Sequence, residues 1–209
     1  HVLVFDAGTG LRELGMTLAA DGVTDIDLFL SHTHIDHVIG FPFFCYLFSP
    51  ENKMRVWSGH LDDGKTSESV MRQLMAEPLF PVPVDIFTAD IGFNDFLAGE
   101  TLTPRDGITI RTTMLNHPQN ATGYRIEFGG KSICYVTDTE HFEDGPDKNI
   151  LGLIDGADIV IYDSMFTDAE YPKYKTWGHS TWEEGARLCA AANVGTFVIF
   201  HHAPERTDD

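Results

Sequence analysis

The chain has 209 residues, 43% hydrophobic and 22% charged, a composition that excludes a disordered or collagen-like protein. It carries 32 acidic residues against 14 basic ones, a formal net charge of -18. That balance weighs against a general nucleic-acid binder and against an anionic membrane surface, because both demand a basic face. Residues 38–48, the longest apolar stretch, are broken by Pro42 and too short to span a bilayer. Cys45, Cys134 and Cys189 sit far apart in apolar runs and read as buried free thiols of a reducing compartment, the cytoplasm.

Strand-like and helix-like runs alternate along the chain. Val2–Phe5 predicts a buried strand, and Gly8-Thr9-Gly10 turns into a helix with Leu11, Leu14 and Leu18 on one face. Residues 26–30 predict a second strand running into a histidine-rich loop. Residues 38–48 read as a buried helix or the floor of a pocket, with Phe41, Phe43, Phe44 and Tyr46 as core or pocket wall. A strand at 54–58 and a helix at 67–75 follow, and Pro78, Pro81 and Pro83 mark an irregular connection. Ile108–Leu115 is a strand. Residues 122–128 and 132–137 flank Gly129-Gly130, a hairpin signal. Residues 157–163 form a strand, Ser180 and Glu183 read as a capping box opening a helix to about Ala192, and 194–200 form the last strand. No repeat or linker interrupts this order, which predicts one mixed α/β domain over residues 1–209. The abrupt start on a strand suggests a fragment lacking its natural ends.

Several strands end in residues able to bind metal. Ser31-His32-Thr33-His34-Ile35-Asp36-His37 packs three histidines and an aspartate into a few residues after an apolar strand. Desolvating that many rings without a partner is costly. Imidazole and carboxylate donors suit zinc, and nearly as well manganese or iron. His117, Asp138 and the pair His201-His202 recur at later strand ends. Together they complete two ligand sets: His32, His34 and His117 for one ion, and Asp36, His37 and one of the terminal pair for another. Asp138 can bridge them.

With Asp6-Ala7-Gly8, the H-x-H-x-D-H loop, His117, Asp138 and Phe200-His201-His202-Ala203-Pro204, the chain resembles the metallo-β-lactamase-fold metallohydrolases over essentially its whole length. The resemblance implies a four-layer αββα sandwich, here without its N-terminal strands. It implies two divalent ions, zinc with manganese or iron as alternatives. It selects His201 over His202 as a ligand, and it gives Asp6 the task of holding the histidine loop. Redox relatives that hold two irons carry glutamate at the place of His34, and true β-lactamases often carry cysteine at the place of Asp138. The residues here therefore favour the phosphodiesterase, lactonase and thioesterase branches.

The segment Trp177-Gly178-His179-Ser180-Thr181 is similar to one in ribonuclease Z and its phosphodiesterase relatives. There the histidine works with an acidic residue at the place of Asp163. The expected catalytic residues are accordingly Asp36, His179 and Asp163, with His179 protonating the leaving group after attack by a metal-bridging hydroxide. The charge of -18 and the lack of a tRNA-gripping arm point to a small, cyclic-nucleotide-like phosphodiester, with no general nucleic-acid binding and no membrane partner. An unpaired edge at the first strand points to a homo-oligomer. A lactone or thioester hydrolase on the same metals is the alternative, and a metal-binding scaffold without turnover the third reading.

Overall fold

Strands β1 (Val2–Phe5), β2 (Asp25–Leu30), β3 (Lys53–Ser58) and β4 (Asp90–Asp95) lie side by side in chain order, each pair parallel. Parallel neighbours need crossover connections. Helix α1 (Leu11–Ala20) supplies the first, α2 (Ile35–Val38) lies in the second, and α3 (Ser67–Leu74) supplies the third. This computed structural model describes residues 1–207, and its backbone packing forms two compact units, His1–Leu97 and one beginning at Ala98.

In the first unit the register pairs Val4 with Leu28 and Leu28 with Val56. One face of the sheet therefore presents a continuous apolar row to Leu11 and Leu18 of α1 and Met71 of α3. The other face carries Phe5, Phe29 and Trp57 in successive stacks, with centroids 5.3 and 5.7 Å apart. Asp27 is fully buried on β2, and its carboxylate accepts from Arg55 Nε at 2.8 Å and Trp57 Nε1 at 2.9 Å, which offsets its desolvation.

Residues 38–48 do not form one continuous helix. After α2 they fold into two short 3-10 turns, Phe41–Phe43 and Cys45–Phe48, with Pro42 in the first. Phe41, Phe44 and Tyr46 pack into the core and Phe43 faces solvent. Cys45 also turns outward, which corrects its expected burial, whereas Cys134 and Cys189 are buried free thiols.

The second unit holds six strands in the order β10-β9-β8-β7-β6-β5. Strands β5 (Thr101–Arg105), β6 (Ile108–Leu115), β7 (Ala121–Phe128) and β8 (Lys131–Val136) pair antiparallel, and Gly129-Gly130 makes the expected hairpin. Strands β9 (Ile159–Asp163) and β10 (Thr196–Phe200) then add in parallel, each reached through a helix, α4 (Lys148–Ile154) and α5 (Trp182–Ala191). Leu153 and Ile154 of α4 and Leu188 of α5 cover Val136, Val160 and Tyr162 of the sheet. The cap of α5 is Thr181, whose hydroxyl accepts from the Glu184 amide at 3.0 Å, one residue beyond the expected Ser180. Among the described residues, no helix is long and apolar enough to cross a membrane. The two sheets with their helices make the mixed α/β class expected from the sequence.

Candidate functional site

The histidine loop begins where β2 ends, and β1 supplies its anchor. Asp6 follows β1 in the left-handed region, φ +60°. Its carboxylate accepts from the Ser31 amide at 2.7 Å and the Ser31 hydroxyl at 2.8 Å, and it faces His37 Nδ1 at 2.9 Å. His37 thus donates Nδ1–H to Asp6, which leaves Nε2 as the donor atom, 3.1 Å from Asp36 Oδ2. His32 Nε2 stands 3.0 Å from His34 Nδ1. Two imidazoles on one tetrahedral ion, each at about 2.0–2.1 Å, hold their nitrogens about 3.3 Å apart, close to this spacing. Gly40 lies on the Asp6-Ala7-Gly8 backbone so closely that a Cβ there would sit 2.0 Å from the Gly8 carbonyl. His32, His34, Asp36 and His37 thus come together in the first unit.

A residue missed in the sequence braces this loop. His60, buried just after β3, reaches Thr33 Oγ1 with Nε2 at 3.1 Å and Ser58 Oγ with Nδ1 at 3.2 Å. Its one sequence signal is a histidine following the apolar strand Met54-Arg55-Val56-Trp57.

In the second unit the polar residues cluster where β6, β8, β9 and β10 end. Asp138 and His201 are left-handed, φ +52° and +58°. Such backbones cost on the order of 1–3 kcal/mol and persist where the surroundings hold them. Asp138, nearly fully buried, stands 3.4 Å from His201 Nε2, 3.8 Å from His117 Nε2 and 3.8 Å from His179 Nδ1. His117 Nδ1 lies 2.7 Å from the Gly178 carbonyl. That acceptor fixes the Nδ1–H tautomer and turns the Nε2 lone pair towards Asp138. His179 Nδ1 meets Asp163 Oδ2 at 3.0 Å, and the fully buried Asp163 also accepts the Thr139 and Met165 amides at 3.1 Å. Asp163, His179 and His201 offer donor atoms within 4.8 Å of one another. His202 is exposed.

Glu140 is a second residue that sequence reasoning missed. Its carboxylate accepts the Thr176 and Gly178 amides at 2.9 Å each and the Tyr171 hydroxyl at 3.0 Å. Its backbone exchanges two bonds with Asn116, next to His117. The loop carrying His179 is thereby tied to the segment carrying His117. Gly178 is required there: its φ is +85°, and a Cβ would lie 2.4 Å from His117 Nδ1. Burial, then the Glu140 contact, pushes the Tyr171 phenol well above its ordinary pKa. Burial lowers that of His141, which reaches Ser180 Oγ at 2.9 Å.

Each unit thus presents imidazoles and carboxylates, with the far nitrogens of His37 and His117 already held by Asp6 and the Gly178 carbonyl. That is the donor chemistry of a borderline divalent ion such as zinc.

Residues 1–202 match the family model described as a Beta-lactamase superfamily domain. The chain is 35% identical over 106 residues to a Ribonuclease Z of Synechococcus, a match covering 51% of this chain and 29% of that protein. It is 25% identical over 254 residues to a Ribonuclease Z of Bradyrhizobium, covering 99% of this chain and 82% of that one. The structure superposes on the metallo-beta-lactamase fold protein YhfI of Bacillus subtilis with a TM-score of 0.71 at 18% identity, over 98% of this chain and 76% of that chain. Relatives named for a ribonuclease overturn the expectation of a small-molecule partner without nucleic acid. That expectation rested on a formal charge of -18, which sums side chains only and counts no bound cations. The chain belongs to the β-lactamase superfamily, with the metallo-β-lactamase fold.

Proposed function

We propose that this chain is a metal-dependent hydrolase that cleaves phosphodiester bonds in RNA. The observation that carries the reading is His179, held by buried Asp163 at 3.0 Å and placed beside Asp138 and His201. The Ribonuclease Z relatives, one matched over 99% of the chain, support the choice of bond and polymer. In this reading His32, His34, Asp36 and His37 of the first unit and His117, Asp138 and His201 of the second are the residues that would hold divalent ions, zinc by donor type. Bound there, the ions supply Lewis-acid polarisation of water and of the phosphoryl oxygens.

The chain's own residues do the rest. Asp6 and the Gly178 carbonyl fix the tautomers of His37 and His117, so that Nε2 of each is the lone-pair nitrogen. Asp163 accepts the Nδ1–H of His179 and orients the ring. His179 Nε2 is then the atom that gives a proton to the departing ribose oxygen.

A leaving-group comparison tests this reading. His179→Ala is expected to keep its metal, close to two ions per chain by elemental analysis. It should slow bis(p-nitrophenyl) phosphate only modestly, because a nitrophenolate departs without a proton. RNA cleavage should fall roughly 10²–10⁴-fold, the range for a lost general acid. An equal loss on both substrates, or no loss on RNA, removes His179 as the acid.

A further inference from the structure

We infer that the cavity beside His179 is a nucleobase subsite, in which a base flanking the scissile phosphodiester stacks on Trp177; this rests on the RNA reading above. The cavity, of about 620 Å³, is lined by Met165, Phe166, Tyr174, Trp177, His179 and Arg206, among others. Trp177 is 60% exposed, although burying an indole is among the larger apolar gains available to a side chain. It is nevertheless braced. Its amide donates to the Tyr174 carbonyl at 3.1 Å, and its ring meets Tyr174 edge-on at 5.2 Å. Tyr174 in turn lies flat on Phe166, centroids 4.3 Å apart and planes 1° apart.

The result is an ordered aromatic wall ending at His179, with Phe166 and His179 6.3 Å apart. Flat π faces take any base, whereas the charged groups here disfavour a phosphate. Glu170 and Glu205 line the same cavity, and Glu170 engages the Arg206 guanidinium. An occupant of this cavity lies against the histidine assigned to the leaving oxygen, which is where the nucleoside of the departing side must sit.

The diribonucleotide UpU, and analogues with the base removed from one or other nucleoside, test the subsite. Wild-type protein should prefer UpU over one abasic analogue by roughly 10–100-fold in kcat/KM, the effect of one stacked base. Trp177→Ala should lose that preference and Trp177→Phe should keep most of it. Equal discrimination in wild type and Trp177→Ala overturns the subsite. Independently of turnover, UMP should shift the indole N–H resonance that disappears in Trp177→Phe, and ribose 5-phosphate should not. Equal shifts from both, or a shift from octanoate alone, overturn it as well. If wild type cleaves none of the dinucleotides while UMP shifts Trp177, the phosphodiester reading fails and the base site stands.

Discussion

Asp6, Asp138 and His201 each leave a strand in a left-handed backbone, and each meets a histidine ring or is one. The candidate ligands were legible because their chemistry is concentrated: three histidines and an aspartate within a few residues cannot be mistaken for a surface loop. Glu140 and His60 were not legible. Glu140 acts on amides 36 and 38 residues away, and no periodicity encodes a bond between a carboxylate and a distant backbone N–H. Glu140→Gln makes the point testable. The amide keeps one acceptor oxygen and sets an N–H donor against one of the two loop amides. The Thr176 bond is exposed and the Gly178 bond part-buried, so losing one of them costs about 1 kcal/mol, the net worth of a typical hydrogen bond. Chemical denaturation should report a loss of that size. Because the loop carries His179, kcat on RNA should fall more than KM rises. Wild-type stability and kcat in this variant would show that the staple is incidental.

Elements were legible where one periodicity dominates. Strands β2, β8 and β9 carry apolar runs bounded by turns, β6 alternates buried and half-buried residues, and α1 shows its Leu11, Leu14 and Leu18 face. Strands β4 and β5 and helix α4 escaped notice. Asp90-Ile91-Gly92-Phe93-Asn94-Asp95 is half-exposed and carries a glycine and three short polar residues, so its pairing with β3 decides its state. The cap of α5 slipped by one residue for a similar reason. Ser180 matches the S-x-x-E pattern, but its hydroxyl is fully buried against Tyr162 and His141, and Glu183 turns to the Asp168 amide at 3.1 Å. Thr181 takes the cap and also donates to Asp168 at 2.7 Å. Thr181→Ala should therefore cost about 1–2 kcal/mol in a denaturant titration, the upper part of the range for a lost N-cap. Glu183→Ala, whose exposed carboxylate serves one amide, should cost less than about 1 kcal/mol. The reverse order would restore the capping box read from the sequence.

Across the whole chain, the tension is between a formal charge of -18 and the RNA substrate proposed above. A binder that relies on lysine and arginine gains affinity by releasing counterions, and six to ten phosphate contacts lose roughly 10³–10⁵ in affinity between 50 and 200 mM salt. This chain has 14 basic residues, and Arg55, Arg72, Arg187 and Arg206 are committed to carboxylates. In the proposed reading, recognition rests on metal ions at the scissile phosphate and on aromatic faces such as Trp177, neither of which displaces many counterions. The KM for a short single-stranded RNA should accordingly rise by less than about tenfold over that salt range, the expectation for one or two phosphate contacts. Chelation at constant ionic strength should abolish turnover. It should also lower the thermal midpoint, since ions that bind only the folded chain stabilise it by mass action, about 4 kcal/mol when present at a thousand times their Kd. A steep salt dependence together with indifference to chelator would place RNA on a basic surface instead of at the histidine and aspartate donors, and the metal-centred reading of the substrate would fall.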